Sequence, residues 1–230
     1  MVSCQFAMHY AFENEQRAKD FLGNVTHKLR PGGYFFGTTP DARMLYRRAL
    51  ASADGKTFGN RQYSVVFDEK VEVSESTSSG SAPAIASSSA SVTDANKYSG
   101  GLDGVHIRNG QRYTFSLLEA VDNVAEYIVD PSVLVRWCGE FGLELVRMEN
   151  FQEMLEYESS RQGGGGGQGS ASDAPPSRGS LDDETWDTFG VYMVFVFKKS
   201  GRAQSTRHTC RRFPVGVVDP SRDLVILPAS

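Results

Sequence analysis

The sequence predicts an α/β protein built around a mostly parallel sheet. Two observations carry this. Residues 3–40 read as the end of a buried strand, an amphipathic helix, a Pro31-Gly32-Gly33 break and a short apolar strand, which together make one αβ unit. Residues 191–197 form a strongly β-prone run that reads as a central strand. A third observation concerns the start. No strand followed by a Gly-rich loop precedes residue 3, so the chain is read as beginning in the middle of its sheet, with the first half of the ligand pocket expected to be missing.

Residues 2–6 read as a strand exit. Over residues 13–30, Ala18, Phe21, Leu22, Val25 and Leu29 fall on one helical face. Glu13 and Glu15 at one end and Lys28 and Arg30 at the other suit the helix dipole. Pro31-Gly32-Gly33 ends that helix, because glycine accepts the left-handed cap and proline cannot continue the helix. Residues 34–39 form a short strand, and Asp41 caps a second helix running to about Leu50. Strands are expected at 62–67 and at 111–118, the latter with Tyr113, Phe115 and Leu117 on one face. Asp130-Pro131 opens a helix that turns Leu134, Trp137, Cys138 and Phe141 inward. Residues 143–148 read as a strand and 151–157 as a short helix or loop.

Composition bounds the rest. The chain has 230 residues and a net charge of −4, which gives no global signature of a nucleic-acid or membrane binder. Low-complexity inserts, at about 74–93 (Ser/Ala/Gly-rich) and 159–180 (with a glycine run at 163–167), bury too little apolar surface to join a core. The remaining roughly 190 residues are ample for one. The domain reading is therefore 1–199 with two inserts, followed by a basic tail over 200–230. Residues 198–212 hold six basic and no acidic side chains, read first as a solvated tail and second as an RNA-phosphate or nuclear-import patch. Cys4, Cys138 and Cys210 lie far apart with no Cys/His cluster at ligand spacing, so no metal is expected; an odd cysteine count and the lack of a leader suggest a reducing compartment. No apolar run approaches the ~18–20 residues of a membrane span.

The run Ser3-Cys4-Gln5-Phe6 through His9-Tyr10, followed by Arg30-Pro31-Gly32-Gly33-Tyr34-Phe35-Phe36-Gly37-Thr38-Thr39-Pro40, closely resembles the eukaryotic messenger-RNA cap guanine-N7 methyltransferases. Further blocks agree: Phe58-Gly59-Asn60, Tyr63-Ser64-Val65, Tyr113-Thr114-Phe115, Val124-Ala125-Glu126-Tyr127 and Val191-Tyr192-Met193-Val194-Phe195. The resemblance spans residues 2 to about 199. It implies a class I S-adenosylmethionine-dependent, Rossmann-like methyltransferase sheet with helices on both faces, of which this chain holds the C-terminal part. It also implies methyl transfer from S-adenosylmethionine to N7 of the 5′ cap guanine of nascent mRNA, without a metal. Guanine N7 carries an available lone pair and the sulfonium is an activated leaving group. The protein's task is therefore to align the reactants, and no catalytic acid or base is expected.

By the same resemblance, Gln5 and Tyr10 contact S-adenosylmethionine, and His9, Glu126 and Tyr192 hold the cap guanine. A carboxylate accepts from guanine N1–H and N2–H together, which distinguishes guanine from adenine, and an aromatic side chain stacks on or edges the base. Each residue also has a plainer reading. Gln5 could cap a turn, Tyr10 could pack in the core with its hydroxyl at the surface, and His9 could be structural. Glu126 could be an exposed loop residue, and Tyr192 a strand aromatic among apolar neighbours. Phe6, Phe36, Trp137 and Trp186 are read as packing. Lys28, Arg30 and Arg43 are read as solvated helix charges, and His27, His106 and His208 receive no role.

The enzyme reading competes with two others. One is a truncated, non-catalytic fragment keeping a partial cap-binding surface; the other is a class I methyltransferase acting on a small molecule, which would share the Pro-Gly-Gly signal but not the Glu126 and Tyr192 blocks. The resemblance implies a nuclear, monomeric protein with capped nascent mRNA as its partner, the transcription or capping machinery as a candidate partner, and no membrane association.

Overall fold

The computed structural model describes residues 1–72, 105–162 and 178–201. In chain order these form β1 (Val2–Gln5), a 3-10 turn (Met8–Glu13), α1 (Glu15–His27), β2 (Tyr34–Pro40), α2 (Ala42–Ala51), β3 (Thr57–Gly59), β4 (Tyr63–Phe67), β5 (Arg112–Leu117), β6 (Val121–Tyr127), α3 (Pro131–Glu140), β7 (Leu143–Asn150), α4 (Phe151–Gln162), a second 3-10 turn (Arg178–Ser180), α5 (Asp183–Phe189) and β8 (Tyr192–Lys199). The strands divide into two sheets, ordered β1-β2-β8-β7 and β3-β4-β5-β6.

The first sheet is mixed, which corrects the expectation of a mostly parallel one. Only β1 and β2 run parallel, joined through the α1 crossover; β8 is antiparallel to both β2 and β7. Strands buried on both faces read as continuous apolar runs whichever way they point, so direction was not visible in the composition of β8. Its central position was: it lies between β2 and β7. Gly37 lets β1 and β2 close up, because a Cβ there would sit 1.8 Å from the Cys4 carbonyl oxygen.

Helices α1 and α3 pack on this sheet. Leu22, Val25 and Leu29 meet Phe35, Phe195 and Phe197, while Leu134, Trp137 and Cys138 join the same core. α1 starts two residues later than the charge pattern suggested. The Asn14 side chain caps it by accepting from the Arg17 amide at 3.0 Å. Its C-terminal carbonyls are met by Lys199 from β8, whose Nζ donates to Thr26 and Leu29 oxygens at 2.6 and 2.7 Å, while Lys28 and Arg30 stay exposed. The chain then turns at Gly32 with φ of 76°.

The second sheet is an antiparallel meander covered by α2, whose Ala42, Leu45, Tyr46 and Ala49 pack on Tyr63, Val65, Phe67 and Tyr113. The sequence reading found β4 and β5 but neither β3 nor β6, and so did not separate two sheets. β6 carries Asp122, Asn123 and Glu126 and lacks clean alternation, and a bulge shifts its register against β5 between Phe115 and Leu117. Asp41 and Asp130 cap α2 and α3 as expected, accepting from the amides of Arg43 and Ser132 at 3.0 and 2.8 Å. Asp41 also accepts from Asn150 Nδ2 at 2.9 Å, which ties α2 to the end of β7.

Most of the two low-complexity inserts, and the basic tail beyond residue 201, lie outside the described residues, as do His208 and Cys210. At the edge of the second insert the helix expected to end near Tyr157 runs on as α4 to Gln162. Among the described residues no helix is long and apolar enough to cross a membrane.

Candidate functional site

The site lies at the seam between the two sheets. β1 ends at Gln5, and Phe6 turns the chain sharply, with φ of 50° and its amide donating to the Thr38 carbonyl at 3.1 Å. The 3-10 turn that follows buries Met8 and Phe12 in the first core and carries His9 and Tyr10 against β6. β6 brings Glu126, and β8 begins with Tyr192 opposite Pro40 of β2.

Glu126 is 4% exposed, so it is not the loop glutamate of the plainer reading. Its carboxylate is ringed by donors. Tyr113, its cross-strand neighbour on β5, donates to Oε2 at 2.7 Å. Tyr10 donates its phenol to Oε1 at 3.2 Å. His9 Nε2 lies 3.2 Å from the same oxygen, yet neither His9 ring nitrogen makes an aligned hydrogen bond among the described residues, although the side chain is 2% exposed. A buried imidazole without an aligned partner is rare in folded proteins and is a polar group able to serve a ligand.

Tyr10 reverses its plainer reading: the residue is 39% exposed, while its hydroxyl points inward to Glu126. Burial first, and then the charge of Glu126, push the Tyr10 phenol above its ordinary value. The same two causes in the same order raise Tyr113 well above its ordinary value, which favours its neutral, hydrogen-donating form. Burial, followed by the charge of Glu126, also raises Tyr192.

Tyr192 is half-buried in an aromatic box. Its ring meets Phe6 edge-on at 5.0 Å between centroids, Phe151 at 6.0 Å and Phe115 at 6.3 Å. Phe6 therefore departs from its reading as core: it is 47% exposed and forms one wall of this box. Phe36 is only partly buried, Trp137 and Trp186 pack as expected, and Arg43 is drawn toward Asp41 rather than freely solvated, with Nε 3.9 Å from Oδ1.

The structure thus brings His9, Tyr10, Glu126 and Tyr192 to one seam. It leaves Gln5 at the exposed end of β1, its amide donating to Ser3 Oγ at 2.9 Å. Tyr113 was missed as a site residue. Its place on the inner face of β5 was visible, but its pairing with Glu126 depends on β6, which the sequence did not reveal. Among the described residues no group of three or more His, Cys, Asp or Glu side chains is arranged to hold a metal ion.

Comparison with known proteins identifies the family of the chain. Residues 1–83 and 96–200 match the model of the mRNA (guanine-N(7))-methyltransferase domain. The mRNA cap guanine-N(7) methyltransferase 1 of Oryza sativa subsp. japonica is 33% identical over 213 residues, covering 89% of this chain and 48% of that protein. Its Arabidopsis thaliana namesake is 33% identical over 232 residues, covering 97% of this chain and 53% of that protein. The chain therefore spans about half the length of these two relatives. Two solved structures also align with it: an S-adenosylmethionine-dependent methyltransferase from Clostridium acetobutylicum (TM-score 0.35, 8% identity, 87% of this chain and 58% of that one) and the CcbJ methyltransferase from Streptomyces caelestis (TM-score 0.39, 14% identity, 86% and 60%). From the family match and the two plant relatives, the chain belongs to the mRNA (guanine-N(7))-methyltransferase domain family.

Proposed function

We propose that this chain holds the cap guanine for mRNA (guanine-N7) methylation, with S-adenosylmethionine as methyl donor and capped nascent mRNA in the nucleus as substrate. One observation carries the reading: a buried carboxylate, Glu126, sits at the seam beside an aromatic box and a histidine that has no aligned hydrogen-bond partner among the described residues. Guanine presents two adjacent donors, N1–H and N2–H, to such a carboxylate, whereas adenine presents a ring acceptor at N1. A buried acceptor that meets an acceptor instead of a donor loses its hydrogen bonds and keeps its desolvation cost. Tyr10, the most exposed of the groups around Glu126, is the one that can give way to the base. His9 supplies a polar nitrogen beside it, and the ring of Tyr192 supplies a flat apolar edge for the base.

The donor set at the end of β1 fits S-adenosylmethionine. The Gln5 amide is exposed at the carboxyl end of β1, and Tyr10 follows just beyond it with a partly exposed ring and its hydroxyl turned to Glu126, at the place where open α/β sheets take their ligands. When bound there, S-adenosylmethionine supplies an activated methyl group. The chain's own residues orient the guanine and keep bulk water from its Watson–Crick edge. No general base is required of them, since N7 has no proton to lose. The rate gain assigned to these residues is therefore one of positioning.

The test mixes the chain with GpppG- or ApppG-capped RNA and S-adenosylmethionine, then measures binding by fluorescence anisotropy and methylation by nucleoside analysis. The reading predicts selective GpppG binding and 7-methylguanosine as product. Selective binding without product would support the cap-holding role and select the non-catalytic alternative. Equal affinity for both caps, or methylation of small molecules in their place, would refute the proposal.

A further inference from the structure

We propose that Tyr113 is a positioning residue that fixes the plane of the Glu126 carboxylate and thereby sets how strongly the site prefers guanine over inosine. The inference rests on the reading of Glu126 as the guanine acceptor and goes beyond it. The two oxygens of Glu126 are held differently. Oε1 accepts its hydrogen bond from Tyr10, which is substantially exposed and free to leave; His9 Nε2 lies 3.2 Å from the same oxygen without an aligned hydrogen bond. Oε2 accepts from Tyr113, which is fully buried, lies directly across the β5–β6 ladder from Glu126 and packs against Phe67 at 5.6 Å between ring centroids. One oxygen is thus displaceable and the other anchored.

An anchored Oε2 still has a lone pair left for a ligand, because a carboxylate oxygen accepts more than one hydrogen bond. With Oε2 pinned, the carboxylate cannot rotate about its last torsion, and both oxygens present their remaining lone pairs in one fixed plane. A planar pair of donors such as N1–H and N2–H needs that orientation. Inosine keeps N1–H but lacks the 2-amino group, so it uses one oxygen and is less sensitive to the carboxylate plane. Loss of the Tyr113 hydroxyl should therefore weaken guanine more than inosine. A purely structural role would weaken both alike.

The experiment measures Kd for GpppG and IpppG on the wild-type chain, Tyr113→Phe and Glu126→Gln, with a thermal melt of each. Expected are a wild-type preference for guanine on the order of tenfold or more, a fall of that preference to about two- to threefold in Tyr113→Phe, and its loss in Glu126→Gln. If Glu126→Gln removes the preference while Tyr113→Phe leaves it intact, the role of Tyr113 is overturned and the Glu126 reading stands. If Glu126→Gln leaves GpppG affinity unchanged, the Glu126 reading fails and this inference with it. Should Tyr113→Phe not fold, NMR of the wild-type chain decides: the Tyr113 hydroxyl proton must stay slowly exchanging when GpppG saturates the site, and its loss on binding would overturn the inference.

Discussion

Replacing Glu126 with alanine separates the energetics of the site from those of the fold. In the folded chain the carboxylate satisfies the fully buried Tyr113 hydroxyl at 2.7 Å and the Tyr10 hydroxyl at 3.2 Å. Alanine leaves the Tyr113 donor buried without an acceptor, a cost of about 1–3 kcal/mol. Tyr10 is exposed enough to turn its hydroxyl to water and adds little. For a chain of this size that lowers Tm by a few degrees, roughly 2–4 °C per kcal/mol, and leaves a folded protein to assay. The cap loses more. Two charge-assisted hydrogen bonds disappear and the guanine donors face apolar surface, so GpppG affinity should fall by roughly 2–4 kcal/mol, or about 30- to 1000-fold in Kd. ApppG, which meets the carboxylate only as a penalty, should bind the variant no more weakly than it binds the parent. Titration calorimetry at 25 °C with both dinucleotides gives the numbers. Wild-type GpppG affinity in a variant whose circular dichroism matches the parent would refute the assignment of Glu126 as the base reader.

Three further predictions concern the frame around the site. Asp41→Ala removes the α2 cap and one of the two acceptors of the buried Asn150 amide, the other being the Gly190 carbonyl, and should cost roughly 1–4 kcal/mol in urea melts; a change below about 0.5 kcal/mol would contradict the network. Gly37→Ala places a Cβ 1.8 Å from the Cys4 carbonyl oxygen and should separate β1 from β2, yielding little folded protein; a soluble variant with the parent's Tm would show that the strands can open at no cost. Burial pushes the Tyr46 phenol up to about 12 from an ordinary value of 10. Because folding disfavours its charged form, the stability it contributes is present below pH 10 and is lost as pH rises from 10 to about 12. Tyr46→Phe should flatten that part of the stability–pH curve, and an unchanged curve would remove Tyr46 from the account.

The local elements were legible because each carries its own punctuation. Asp41 and Asp130-Pro131 announce α2 and α3, and the Pro31-Gly32-Gly33 break ends α1 and admits β2. What a single chain does not announce is pairing. β6 is polar and bulged, so the plainer alternative for Glu126 was an exposed loop glutamate, whereas it is buried on a strand, and without β6 neither the second sheet nor the Tyr113–Glu126 pair could be drawn. Strand direction was hidden for a similar reason, since the apolar run of β8 serves a parallel or an antiparallel neighbour equally well. Among the site residues, His9, Tyr10, Glu126 and Tyr192 came from the family resemblance, and the structure gathers those four at one seam. Phe6 was misread because an aromatic after a buried strand is most simply core. The turn at its positive φ swings it out to Tyr192.

The most direct test of the central claim observes the proposed hydrogen bond itself. A GpppG ligand carrying 15N-labelled guanine is bound to the chain, and its N1 imino proton is followed by NMR. The account predicts a sharp, downfield imino resonance protected from exchange with water, with cross-peaks to the rings of Tyr10 or Tyr192, and its disappearance with Glu126→Ala. A bound guanine whose imino proton stays broadened by solvent exchange, equally in both proteins, would contradict the claim that the buried carboxylate reads the cap.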